Sequence, residues 1–192
     1  MSYYKTQLEE WLETIDVKAE KVLDVGGGSN PVKGRTKSWE VLDYKILDNK
    51  TEEMVQRPDY IFDINKKEEI IPEKLKYDII FCLEVFEYVW NPVQAMENLY
   101  KWLKAGGILY ISFPFIYPHH SPDGRDYLRY TRWGVDKLFK EAGFRTSKVR
   151  PRTEINSDPT LLQWFLKEKM HPCRDYDGHN EIGYLCKCMK KL

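Results

Sequence analysis

Apolar runs of strand length alternate with amphipathic segments along most of the chain, and this pattern predicts the order of its elements. Leu8, Trp11 and Ile15 have helical spacing, which predicts a helix over Tyr4–Ile15. The run YDIIFCL is continuously apolar, as the central strands of parallel sheets are. Strands are predicted at Lys21–Val25, Trp39–Leu42, Tyr60–Phe62, Tyr77–Leu83, Ile108–Phe115, Arg145–Val149 and Ile182–Met189.

Two later helices carry start and stop signals. Asn91 is suited to cap a helix with Pro92 at its first position, and Gly106 is expected to end that helix. Another helix is predicted to begin near Thr131 and to end at Gly143. The segment Leu161–Lys169 is also predicted to be helical.

This alternation of strands and helices predicts an α/β fold. We expect a Rossmann-like, doubly wound and mostly parallel sheet of seven strands. The last strand follows a helix and a polar loop, so it is expected to pair antiparallel at an edge. The chain contains no linker, repeat or low-complexity stretch, which predicts a single domain over residues 1–192.

Composition narrows the class of protein. Lys+Arg and Asp+Glu balance at 30 each, so no strong basic field exists to gather nucleic acid. The N-terminus lacks the apolar core of a secretion signal, and no apolar run reaches the roughly 20 residues that span a bilayer. We therefore expect a cytoplasmic protein with no membrane partner. The four cysteines include no CxxC pair and are expected to be free thiols.

Glycines and acids stand at the carboxyl ends of the predicted strands, where open α/β sheets bind their ligands. The first strand ends in Gly26–Gly28, where missing side chains let a ligand approach the backbone closely. Asp43 ends the second strand and is placed to hold a ribose diol, while Asp63 ends the third and is placed to accept from an exocyclic amine. The fourth strand ends at Leu83 and Glu84. Each acid alone would also suit a turn or a solvated strand end, but their shared position favours a ligand site.

The glycine turn also bears on the class of cofactor. A nicotinamide or flavin site is expected to follow G-x-G-x-x-G, and Pro31 occupies the third glycine position here. That glycine normally allows a helix to direct its N-terminus at pyrophosphate. S-adenosylmethionine has no phosphates and does not need that helix, so it fits the turn better.

The segments VLDVGGG and YDIIFCLEVFEYVWNPVQAMENLYKWLKAGGILYISFP resemble class I S-adenosylmethionine-dependent methyltransferases of the broad type 11 kind, over about residues 20–150. Tyr88 stands where that family usually has His. The resemblance implies that Gly26, Gly27 and Gly28 face the methionine part of the cofactor and that Asp24 anchors this turn. It further implies that Asp43 holds the ribose, that Asp63 holds the adenine amine, and that Leu83 and Glu84 border the sulfonium.

The long segment PFIYPHHSPDGRDYLRYT follows the fifth predicted strand and is the candidate acceptor site, because loops of this length are usually functional. His119 or His120 is the candidate general base, since an imidazole titrates near neutral pH, and Asp126 is its candidate orienter. Packing or surface roles for the histidines and an internal Asp126–Arg129 salt bridge are the alternatives. The candidate substrate-binding residues are Arg125, Tyr127, Arg129 and Tyr130.

The expected function is methyl transfer from S-adenosylmethionine to a small-molecule or sugar-like acceptor, because the chain has little room for a separate recognition domain. Methylation of nucleic acid or protein is one alternative, weakened by the neutral charge and by LEVF in place of an N/D-P-P-Y tetrapeptide. A non-catalytic cofactor-binding relative is another. No metal is expected, because the spacing of His171, Cys173, His179, Cys186 and Cys188 matches no standard zinc module.

Overall fold

The computed structural model describes residues 3–27, 36–44, 58–67, 76–117, 124–153 and 181–192. The predicted helix Leu161–Lys169 lies outside these residues. The helices are α1 (Tyr3–Glu13), the one-turn 3-10 helix Phe86–Tyr88, α2 (Pro92–Trp102) and α3 (Arg132–Ala142). The strands are β1 (Lys21–Val25), β2 (Ser38–Asp43), β3 (Tyr60–Ile61), β4 (Tyr77–Cys82), β5 (Leu103–Pro114), β6 (Arg145–Thr153) and β7 (Glu181–Met189).

The strands form one seven-stranded sheet in the order β3-β2-β1-β4-β5-β7-β6. The pairings from β3 to β5 are parallel, whereas β7 pairs antiparallel with both β5 and β6. The mostly parallel α/β sheet with an antiparallel C-terminal strand is therefore confirmed. The prediction that the last strand lies at an edge was wrong, because β7 is hydrogen-bonded on both sides, to β5 and to β6, and β6 is the outermost strand on that side.

The central strands bury both of their faces, which explains their continuous hydrophobicity. On β4, Ile80 points into the core covered by α2 and α3, while Ile79 and Phe81 point into the smaller core that includes residues of α1. Asn91 accepts a hydrogen bond from the amide of Gln94 at 3.4 Å and caps α2 as predicted. In the described part of the chain, no helix is both long and apolar enough to cross a membrane.

The prediction that α2 ends at Gly106 was wrong, because α2 ends at Trp102 and β5 begins at Leu103. Gly106 has a φ of +74° and donates a backbone hydrogen bond to the carbonyl of Lys190 at 3.2 Å, and Gly107 accepts one from Lys190 at 3.0 Å. These backbone groups are satisfied by neighbouring chain segments rather than by a further helical turn. The glycines therefore lie inside the start of a strand.

Candidate functional site

A cavity of about 510 Å³ opens at the carboxyl ends of β1–β4. It lies where the strand order reverses between β1 and β4, the position at which open α/β sheets bind ligands. Its volume falls within the roughly 300–1,000 Å³ that small-molecule sites occupy. Six of the residues predicted from sequence line this cavity, namely Gly26, Asp43, Asp63, Glu84, Arg125 and Tyr127.

The glycine turn after β1 is built so that side chains are excluded from it. Gly26 has a φ of +74°, and a Cβ added there would lie 2.4 Å from Cγ2 of Val85. A Cβ on Gly27 would lie 2.5 Å from Cγ1 of Val41 and 3.2 Å from Oδ2 of the buried Asp24. The close approach of Asp24 fits an anchoring role, which stays a prediction, as does the role of Gly28, which lies outside the described residues.

The two acids at the ends of β2 and β3 both line the cavity. Oδ1 of Asp43 accepts a hydrogen bond from the amide of Tyr44 at 2.6 Å. Oδ1 of Asp63 accepts from the amide and from the side-chain Nδ2 of Asn65, at 3.0 and 2.7 Å. Asn65 in turn accepts from the amide of Asn91 at 2.9 Å, which ties the turn after β3 to the cap of α2.

Glu84 has a φ of +56°, the only positive φ at a non-glycine position among the described residues. Such backbone strain is costly and concentrates at functional sites. The Glu84 amide donates to Oγ of Ser112 at 2.7 Å, and its Oε1 accepts from that hydroxyl at 2.6 Å and from Arg152 at 2.9 Å. Leu83 does not line the cavity and packs instead against the core on the α1 side.

The described part of the loop between β5 and α3 covers one side of the cavity. The guanidinium of Arg125 lies over the ring of Tyr44, 5.5 Å from its centroid, and so links this loop to the end of β2. The amide of Tyr127 donates to the carbonyl of Glu87 at 2.7 Å. Tyr130 is buried outside the cavity lining and donates its hydroxyl to the carbonyl of Phe86 at 2.9 Å.

Asp126 and Arg129 form the internal ion pair that the sequence left as an alternative. The Asp126 side chain is fully buried, and both of its oxygens accept from Arg129, with NH2 to Oδ2 at 2.7 Å and NH1 to Oδ1. Arg129 also donates to the carbonyl of Tyr117. This pair shapes the loop, and neither residue lines the cavity. His119 and His120 lie outside the described residues, so their roles stay predictions.

Two titratable groups beside the cavity have strongly raised pKa values. Burial, then the charge of Glu84, raises the pKa of the Glu87 carboxyl to about 7, although Arg129 opposes this. Burial and the acids Glu87, Asp126 and Glu84 raise the pKa of Tyr88 to about 12. Tyr88 lines the cavity with its hydroxyl protonated at neutral pH, so at this position the chain offers a hydrogen-bonding group rather than a base.

Of the aromatic rim around the cavity, sequence reasoning identified Tyr127 and missed Tyr44 and Trp90. Tyr44, Trp90 and Tyr127 all line the cavity, and about half of each side chain is exposed. Tyr44 directly follows Asp43, so its position next to a strand-end acid was the signal that could have identified it. Asn65 lies two residues after Asp63 and carried a similar signal, whereas Trp90 reaches the site through tertiary packing.

Comparisons with known proteins agree with this geometry. A family model described as a methyltransferase domain matches residues 2–149, which is most of the chain. A putative methyltransferase from Bacillus halodurans C-125 is 18% identical, with a TM-score of 0.63, and the alignment covers 97% of this chain and 100% of that one. The comparison with curated proteins found no match.

Two further solved structures share the fold. An S-adenosylmethionine-dependent methyltransferase from Mesorhizobium loti is 13% identical, with a TM-score of 0.64 and coverage of 97% of this chain and 98% of that one. The N-methyltransferase NodS from Bradyrhizobium japonicum in complex with S-adenosyl-L-homocysteine is 12% identical, with a TM-score of 0.59 and coverage of 98% and 88%. The chain belongs to the methyltransferase domain family, and it shares its fold with solved S-adenosylmethionine-dependent methyltransferases.

Proposed function

We propose that the cavity at the carboxyl edge of the sheet binds S-adenosylmethionine and that the enzyme methylates a compact small-molecule or sugar-like acceptor. The proposal is supported by one observation: four residues at or just after the ends of four different strands line the same cavity, namely Gly26, Asp43, Asp63 and Glu84.

The residues present fit the cofactor. The Gly26 turn keeps side chains out of the cavity floor, and the Asp43 and Asp63 carboxylates supply acceptors for a ribose diol and an amine. Three carboxylates around the cavity also suit a ligand whose sulfonium and ammonium groups are positive. Asp43 is therefore assigned to the ribose, Asp63 to the adenine amine, and the Gly26 turn to the methionine part.

The acceptor is assigned to the side of the cavity formed by the loop between β5 and α3. Arg125 is the cation among the described residues that line the cavity, and it suits an anionic group on the acceptor. Tyr88 and Tyr127 add hydrogen-bonding hydroxyls on flat apolar rings, which match a ring-shaped polar molecule. The compact rim supports a small acceptor over a polymer.

When bound, S-adenosylmethionine supplies a methyl group on a good sulfur leaving group. The contribution of the chain is alignment and proximity, which can supply roughly 7–11 kcal/mol of a barrier. Arg125 and Tyr127 are assigned to orient the acceptor beside the Glu84 turn. His119 or His120 is the candidate base for an oxygen nucleophile, and Tyr88 donates or accepts a hydrogen bond without losing its proton at neutral pH.

The test begins with cofactor binding. Isothermal titration with S-adenosylhomocysteine is expected to give binding that Asp43→Ala weakens at least tenfold. Asp16→Ala is the matched control, because Asp16 is an exposed acid before β1 whose partner is the exposed Lys18. Equal affinity in the wild type and Asp43→Ala would refute the site assignment.

Turnover distinguishes the enzyme from a non-catalytic relative. Methyl release from labelled S-adenosylmethionine is measured with carboxylate-bearing sugars and small hydroxy acids, and with RNA and protein as the alternative acceptors. We expect turnover with the small acceptors only. His119→Ala and His120→Ala are expected to retain cofactor affinity, and loss of turnover in one of them identifies the base.

A further inference from the structure

An arginine on the outermost strand contacts a residue that lines the cavity. Arg152 lies on β6, its side chain is fully buried, and its NH1 donates to Oε1 of Glu84 at 2.9 Å. Glu84 follows β4, and β7 and β5 lie between these two strands in the sheet. The ion pair therefore connects the edge of the sheet to the lining of the candidate cofactor site.

The strand register explains how the Arg152 side chain on β6 can cross β7 to reach Glu84. Gly183 of β7 lies between Pro114 of β5 and Arg152 of β6. Residues paired in this way project from the same face of a sheet. Because Gly183 has no side chain, the guanidinium can cross β7 at this position towards Ser112 and Glu84.

Glu84 is held at both its backbone and its carboxylate. Ser112 accepts from the Glu84 amide and donates to Oε1, and Arg152 donates to the same oxygen. These contacts surround a residue with a φ of +56° that lines the cavity. A non-glycine residue with this φ persists only where surrounding contacts hold it.

We propose that Arg152 is a positioning residue for the cofactor: it fixes the Glu84 carboxylate and turn at the cavity wall, so that cofactor affinity depends on a side chain of the outermost strand. This inference rests on the proposed function, because it assumes that the cavity lined by Glu84 binds S-adenosylmethionine. Arg152 itself does not line the cavity and acts through Glu84.

The physical basis is the loss of a buried donor that holds the Glu84 carboxylate in place. Without Arg152, Oε1 of Glu84 loses one of its hydrogen bonds, and the Glu84 side chain, which is 36% exposed, can rotate towards water. The carboxylate and the turn would then have to be ordered again when the cofactor binds. That ordering lowers affinity without any lost contact between Arg152 and the ligand.

The experiment measures the dissociation constant of S-adenosylhomocysteine in Arg152→Met, Arg152→Lys, Glu84→Gln and the double variant Arg152→Met/Glu84→Gln. Arg150→Met is the matched control, because Arg150 is an exposed arginine on the same strand. We expect Arg152→Met to weaken binding about tenfold, within the usual range of coupling between sites. Arg152→Lys should recover part of this loss, and Arg150→Met should stay within about twofold of the wild type.

The double variant distinguishes a positioning role of Arg152 from a general loss of structure that lowers cofactor affinity. If Arg152 acts through Glu84, Arg152→Met weakens binding less than threefold when Glu84→Gln is already present, by the logic of a double-mutant cycle. A full tenfold loss in that background, or affinity in folded Arg152→Met equal to that in Arg150→Met, overturns the proposal. If Arg152→Met does not fold, Ser112→Ala decides, because it removes the same support from β5: weaker binding supports the proposal and unchanged binding refutes it.

Cofactor binding and the positioning role of Arg152 are tested separately. A wild-type protein that does not bind S-adenosylhomocysteine refutes the proposed function. A wild-type protein that binds it, together with an Arg152→Met variant that binds equally well, refutes only the positioning role.

Discussion

The buried carboxyl of Glu87 is predicted to make the free energy of unfolding depend on pH. Glu87 is 2% exposed and lies under the loop that covers the cavity, where its backbone carbonyl accepts hydrogen bonds from the amides of Tyr127 and Leu128. Burial and the neighbouring acids Glu84 and Asp126 raise its pKa from an ordinary value of 4.5 to about 7. The folded state therefore favours the protonated form of this side chain.

The sign and size of the effect follow from linkage. Below pH 4.5 Glu87 is protonated in both states, and above pH 7 it is ionised in both, at a cost to the folded state alone. At about 1.4 kcal/mol for each pH unit between these two pKa values, the cost reaches about 3 kcal/mol. The contribution of Glu87 to the free energy of unfolding thus falls as pH rises from 4.5 to 7.

Glu87→Gln removes the ionisation and keeps the shape of the side chain. We expect it to raise the free energy of unfolding by up to about 3 kcal/mol at pH 8, and by little at pH 4.5. Urea denaturation of both proteins across this range measures the difference directly. Carboxyls remote from Glu87 contribute equally in both proteins, so the difference between the curves reports Glu87 together with the acids coupled to it.

Glu97→Gln is the control, because Glu97 is exposed on α2 and its substitution should change stability by less than about 0.5 kcal/mol at any pH. A difference between the wild type and Glu87→Gln that is the same at pH 4.5 and pH 8 would refute the reasoning. So would a Glu87→Gln variant that is less stable at pH 8.

The other predictions concern the backbone around the cavity. Gly26→Ala forces a Cβ to within 2.4 Å of Val85 at a φ of +74°, so we expect a loss of about 1–3 kcal/mol of stability and weaker cofactor binding, measured by denaturation and titration. Gly134→Ala is its control. Gly134 lies in α3, and a Cβ added there would have Oγ1 of Thr131 as its nearest atom, at 3.4 Å. This variant should therefore be neutral or stabilised by up to about 1 kcal/mol. Asn98→Ala removes hydrogen bonds from the buried Nδ2 to the carbonyls of Ile64 and Lys66, at 3.1 and 2.7 Å, and should cost about 1–3 kcal/mol. Because these bonds hold the turn after β3, unchanged affinity in folded Asn98→Ala would contradict a cofactor role for that turn.

The fold could be predicted because its signals are local. A buried strand such as β4 must be apolar on both faces, and the helix starts and ends at Asn91 and Gly143 are set by the hydrogen-bonding needs of a few backbone groups. The prediction was wrong where a local signal competed with non-local strand pairing. Gly106 resembles a helix stop, but Leu103 pairs with Tyr77 of β4, and Gly106 and Gly107 hydrogen-bond to Lys190. The chain from Leu103 onward is therefore part of β5.

The residues of the candidate site also differ in whether local or non-local contacts decide their position. Gly26, Asp43 and Asp63 could be placed at one edge because the carboxyl ends of parallel strands meet there, whatever the details of packing. The ion pair of Asp126 with Arg129 could be identified only as an alternative, since sequence spacing does not say whether two charges face each other or a ligand.

The sequence by itself determined the order of the elements, the parallel sheet and the acids at its ligand-binding edge, because backbone sterics, hydrophobic periodicity and strand direction act over a few residues. Only the tertiary structure decided that Arg152 meets Glu84, 68 positions away, and that Glu87 is buried between acids. These properties depend on distance, burial and local dielectric, which exist only after segments remote in the chain have packed together.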